Sequence, residues 1–71
     1  MYNIRFLYYD GTIIDCQDIV KVKHSRLEGE YTEDRILTSH YPLNADYWLL
    51  SDSASYKIGY KDLKAIMTTK V

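Results

Sequence analysis

In residues 2–9, YNIRFLYY, apolar or aromatic side chains occupy every even position, Tyr2, Ile4, Phe6 and Tyr8, while Asn3 and Arg5 interrupt the odd ones. A period of two marks a strand with one buried face, because successive side chains leave opposite sides of the pleat. Asp10-Gly11 follows and predicts a hairpin turn, with glycine supplying the positive φ. A two-residue loop would set Phe6 opposite Asp15 and Ile4 opposite Gln17. A three-residue loop with Gly11 left-handed in a bulge sets Phe6 opposite Ile14 and Ile4 opposite Cys16. Apolar against apolar selects the second register and makes Cys16 a core residue.

Alternation continues through Ile14 and Cys16, falters at Gln17-Asp18, and resumes with Val20, Val22 and His24 against Lys21 and Lys23. One long strand bent near Gln17 and Asp18 fits this pattern, as do two strands meeting at a corner; strong bends of this kind are typical of small barrels. Residues 25–34, SRLEGEYTED, form a polar hairpin tip around Gly29, and YTEDRILTS is its return strand, with Ile36 in the core. HYPLNAD is a loop and YWLL a short apolar strand. SDSAS is a turn whose short polar side chains bond nearby backbone, and YKIGY is the paired strand, with Ile58 inward. Asp62 stands at a helix N-cap position, so at most one short helical turn fits near residues 61–65, a turn that would place Leu63 and Ile66 inward before the last strand.

Strand, single turn and final strand over residues 56–71 resemble the closing end of Sm-like and Src-homology-3-like barrels. The resemblance implies an all-β fold: five to six antiparallel strands as a small barrel or strongly bent sheet. With 71 residues the chain has material for one core, a single small β domain over 1–71. A domain of this size leaves roughly 40 % of its unfolded-state surface exposed. Cys16 is the only cysteine, so no internal disulfide compensates; self-association into a homo-oligomer is one way to bury more.

Composition changes the picture in two places. Hydrophobic residues at 46 % and charged residues at 27 % belong to a globular chain. Eight tyrosines against one Phe and one Trp favour strands, and serve either as the rim of a small core or as a contact surface. The apolar N-terminal stretch is broken by Asn3 and Arg5 and has neither the basic leader of a signal peptide nor the length of a membrane span. With a lone cysteine besides, the expectation is a cytoplasmic protein without a membrane partner.

Catalytic and metal chemistry find little support. Cys16, His24 and His40, with Asp15 or Asp18, are the candidate metal ligands, but they lack the paired spacing of a zinc knuckle. A Cys16 thiol buried opposite Ile4 would be inert. The SDSAS cluster has no nucleophile elbow, and Gly11, Gly29 and Gly59 stand alone rather than forming a phosphate loop. Neither an enzyme nor a cofactor is expected.

The net charge is −1, but its distribution is uneven. Lys21, Lys23 and Arg26 make a basic stretch, Glu28, Glu30, Glu33 and Asp34 an acidic one, and Lys57, Lys61, Lys64 and Lys70 a basic end. The favoured reading is a non-catalytic protein-interaction module acting by stoichiometric binding, such as a small inhibitor or adaptor of the kind mobile elements encode. Its contacts would be Tyr41, Tyr47 and Trp48, or the acidic hairpin of Glu28, Glu30, Glu33 and Asp34, with a protein partner or a second copy. Trp48 is a contact only if Tyr47 and Leu49 take the core side. The alternative is a nucleic-acid-binding barrel using Lys21, Lys23, Arg26, Lys57 and Lys61, with Tyr56 or Tyr60 for stacking. The acidic hairpin and the absence of an RNA-binding signature oppose it.

Overall fold

The structure, a computed structural model, describes residues 1–71. Its elements are β1 (Tyr2–Tyr8), β2 (Ile13–His24), β3 (Tyr31–Thr32), α1 (Asp34–Thr38), β4 (Tyr47–Ser51), β5 (Ser55–Ile58) and β6 (Leu63–Lys70). The strands form one antiparallel sheet in the order β5-β4-β2-β1-β6, with β3 beside the second half of β2. The sheet does not close. It is the bent sheet rather than the barrel, and β5 and β6 are its ends.

The first hairpin has the expected register, Ile4 opposite Cys16 and Phe6 opposite Ile14. Tyr8 N–H donates to Thr12 O at 2.9 Å, Gly11 N–H donates to Tyr8 O at 3.0 Å, and Gly11 sits at φ 91°. The Asp10 carboxylate accepts the Thr12 N–H at 2.8 Å, which holds its carboxyl below the usual range.

Three bulges then shift which side chains face in. The register on β1 moves from Ile4–Cys16 to Tyr2–Ile19, with Asp18 at φ 57° and its N–H donating to the Asn3 side chain. On β4 it moves from Ile19–Ser51 to Lys21–Leu50, leaving Val20 as the extra residue. The inward set of β2 is therefore Cys16, Ile19, Val22 and His24, and Ile19 rather than Val20 is fully buried. So β2 is one strand, bent where the alternation falters. The third bulge lies at Lys64, between the pairs Tyr8–Leu63 and Leu7–Ala65. Each bulge adds one residue and bends the strand, so the sheet curls over its core.

Two sequence expectations need correction. The return strand over 31–39 is only Tyr31–Thr32; Glu33 at φ 53° ends it, and α1 follows. Ile36 is nevertheless fully buried, as the one buried residue of that helix. The helical turn near 61–65 is absent. Leu63 N–H donates to Tyr60 O in a tight turn, Asp62 takes φ 61°, and β6 starts at once. Leu63 is buried and Ile66 packs against the core because of the Lys64 bulge, not a helical repeat.

Candidate functional site

Opposed residues of neighbouring strands share a face. Across β2, β4 and β5 the rows alternate accordingly. His24–Tyr47–Ile58 and Val22–Leu49–Tyr56 point to the core, while Lys23–Trp48–Lys57 and Lys21–Leu50–Ser55 point outward. Tyr47 and Leu49 take the core, which turns Trp48 out.

The outward rows make a mixed surface. Trp48 is 40 % and Leu50 41 % exposed, both large apolar side chains on the same strand face. Lys23 and Lys57 flank Trp48 from the two adjacent strands, and Lys21 stands opposite Leu50. A shallow groove of about 260 Å³ opens along Trp48, Leu50 and Ser55, with Lys21 and Lys57 in its lining. The chain's ion pairs are Arg5–Asp15, Lys21–Glu30 at 3.5 Å and Lys70–Asp34 at 3.9 Å; Lys23 and Lys57 take part in none.

The inward rows have another use for aromatics. Phe6, His24, Tyr31, Tyr41 and Tyr47 form a continuous chain of ring contacts, with centroids 5.2–5.9 Å apart. Their hydroxyls hold the irregular segment between α1 and β4. Tyr41 donates to Ile36 O at 2.6 Å, Tyr47 to Pro42 O at 2.6 Å and Tyr31 to His40 O at 3.1 Å. The segment has no ladder of its own, so side chains satisfy its carbonyls at His40 and Pro42, and Tyr41 ties it back to α1. Tyr8 does the same for Gly59 O, and Tyr2 donates to the Asp34 carboxylate. Burial raises the pKa of Tyr41 and Tyr47, and both act as neutral donors.

His24 completes this network. Tyr31 spends its proton on His40 O, so its oxygen accepts from His24 Nε2 at 3.3 Å, and His24 Nδ1 accepts the Arg26 N–H at 3.2 Å. Both ring nitrogens are satisfied only in the neutral Nε2–H tautomer. Burial, followed by the nearby His40, lowers the His24 pKa. Cys16 is fully buried, and desolvation pushes its thiol up to about 11. Cys16, His24 and His40 form no cluster with Asp15 or Asp18 that would hold a metal ion.

The structure thus regroups the sequence candidates. Tyr47 is fully buried and Tyr41 half-buried, both bonded inward, so Trp48 is the most exposed of that trio. The acidic set divides: Glu28 and Glu30 lie in the β2–β3 connection, with Glu30 on Lys21, whereas Glu33 and Asp34 open α1. Arg26 is tied to Asn44 O at 3.0 Å, and Lys61 lies in the β5–β6 turn, off the face. Tyr56 packs on the core side and Tyr60 lies in the same turn as Lys61. What the structure joins is Trp48 from one candidate set with Lys21, Lys23 and Lys57 from the other. Leu50 and Ser55, which the sequence reading left out, complete the face; the alternation that turns Trp48 out is the signal that could have found Leu50. No helix is long and apolar enough to cross a membrane. Compared with protein-family models, curated proteins and solved structures, the chain matches none.

Proposed function

We propose that this chain is a non-catalytic protein-interaction module, working as an inhibitor or adaptor by stoichiometric binding, with the outer face of β2, β4 and β5 as its contact. One observation carries the reading: Trp48 and Leu50 stand exposed side by side on β4 while tyrosines around them are drawn into the core. An exposed tryptophan with a lysine at the opposed position on each neighbouring strand is the composition of an interface anchor, because it offers large apolar area with polar groups at its rim. The two reactive side chains of the core are committed elsewhere, His24 to hydrogen bonds and Cys16 to burial.

The row Lys23–Trp48–Lys57 favours a second reading, since a cation on each side of a stacking ring also suits single-stranded nucleic acid. One experiment separates them: affinity capture from source-cell lysate by the tagged full chain and its Trp48→Ala variant, each with and without nuclease. The interaction reading expects a defined protein that survives nuclease and is lost from the variant, a change of at least about 2 kcal/mol in binding. If everything retained by the wild type disappears with nuclease, the protein-interaction reading is wrong and the lysine row binds nucleic acid.

A further inference from the structure

The Trp48 face ends at an open sheet edge. In an antiparallel ladder, pairs that exchange both backbone hydrogen bonds alternate with pairs that exchange none. Ser51 N–H donates to Ala54 O at 2.8 Å, which makes Leu49–Tyr56 and Tyr47–Ile58 the bonded pairs of β4 and β5. Leu50–Ser55 and Trp48–Lys57 are then the unbonded pairs. The N–H and C=O groups of Ser55 and Lys57 therefore point away from β4, to the side where the sheet has no further strand. The side chains of the same two residues stand on the outer face, beside Leu50 and Trp48.

Resting on the reading of this face as a protein contact, we propose that the β5 edge accepts an extended acidic peptide segment of a partner as an added strand. The backbone groups of Ser55 and Lys57 would pair with the segment, and every second side chain of it would lie over the outer face. Beside Lys57 that side chain is Asp or Glu, meeting an ammonium that has no carboxylate of its own. Beside Ser55 it is aliphatic or aromatic, because the small serine leaves the groove open toward Leu50.

Other occupants fit less well. A sugar–phosphate backbone offers no N–H to the free carbonyls of the edge. Antiparallel β5 strands of two copies, in register about Tyr56 or Lys57, bring their Lys57 side chains to facing or neighbouring positions, where like charges repel.

The test is selection of random linear peptides displayed against the full wild-type chain. Enriched peptides are then measured on wild type, Lys57→Glu and Trp48→Ala, and amide hydrogen exchange is followed in the complex. The expected peptides carry an acidic residue two positions from an apolar one and bind Lys57→Glu at least about tenfold more weakly. On binding, the Ser55 and Lys57 amides slow by about tenfold or more, while Tyr56, already bonded to β4, changes little. Peptides that depend on Trp48 yet leave those two amides unprotected overturn strand addition but keep the face as a contact. Failure to enrich any peptide, with binding of a single-stranded oligonucleotide instead, overturns both. Protection of the two amides by self-association, without peptide, overturns the acidic segment in favour of a second copy.

Discussion

Tyr47 and Trp48 are neighbours on one strand and both are large aromatics, yet their surroundings differ in every respect. Tyr47 is fully buried, lies between Phe6, His24 and Tyr41, and donates its hydroxyl to Pro42 O at 2.6 Å. Trp48 has lysines on both sides and no ring against it. The contrast separates two kinds of aromatic enrichment. The inner row is occupied with holding a loop that has no ladder, and its tyrosines are explained by that task. The outer row has no structural task of comparable weight, so its exposed apolar area is what a function can use.

The largest effect comes from truncating each of the pair. Tyr47→Ala removes a fully buried ring and leaves a cavity beside Phe6 and His24, at a cost of about 3–5 kcal/mol. A domain of this length has about 4–10 kcal/mol in total, so the variant should lose roughly a third or more of its stability in urea titrations. Trp48→Ala, at a side chain 40 % exposed, should lower stability by less than about 1.5 kcal/mol while removing partner binding. Equal destabilisation by the two substitutions would remove the distinction between the rows.

Tyr47→Phe sharpens the comparison by keeping the ring and deleting the hydroxyl. Pro42 O then loses its donor in a part-buried position, and the expected loss is about 1–3 kcal/mol. Hydrogen exchange should locate the damage in the backbone of residues 39–46, with the β1–β2 ladder unaffected. A uniform loss of protection would mean that the hydroxyl does not serve that segment in particular.

The fold was legible where local chemistry decided it. Asp10-Gly11 and the apolar pairs Phe6–Ile14 and Ile4–Cys16 fix one register, and the structure has it. The polar pair Gln17-Asp18 marked a bend, but a second bulge at Val20 is set by pairing with β4 and left no local mark. Residues 31–39 read as a strand because Tyr31, Ile36 and Thr38 suit one; the left-handed turn at Glu33 leaves no mark in that pattern, and one of the two tyrosine hydroxyls on the short helix, that of Tyr2 on Asp34, comes from a distant strand. The site was legible as two separate halves. Trp48 and the lysines were each visible, but that they share one face depends on β2 lying beside β4, and on Tyr47 rather than Trp48 filling the space next to His24 and Phe6.

The smallest expected effect is a pH dependence confined to the inner row. His24 is opposite Tyr47 on the core side, with Tyr31 at Nε2, the Arg26 N–H at Nδ1 and His40 nearby. A second proton would have to sit on Nδ1, facing a donor rather than an acceptor. Burial, followed by the nearby His40, holds the folded pKa below the ordinary 6.5, and the unfolded chain binds the proton more readily. Stability is complete above pH 6.5 and falls as the pH drops below it, by no more than about 1.4 kcal/mol per pH unit. The fall ends once the folded pKa is passed. Denaturation midpoints measured between pH 7.5 and 5 should decline in the wild type and decline less in His24→Gln, even if that variant is less stable throughout. An identical slope in both would place the titrating group elsewhere. Binding through Trp48 should keep its affinity for the folded chain over the same range, because His24 faces the core and the outer row of Lys23, Trp48 and Lys57 contains no histidine.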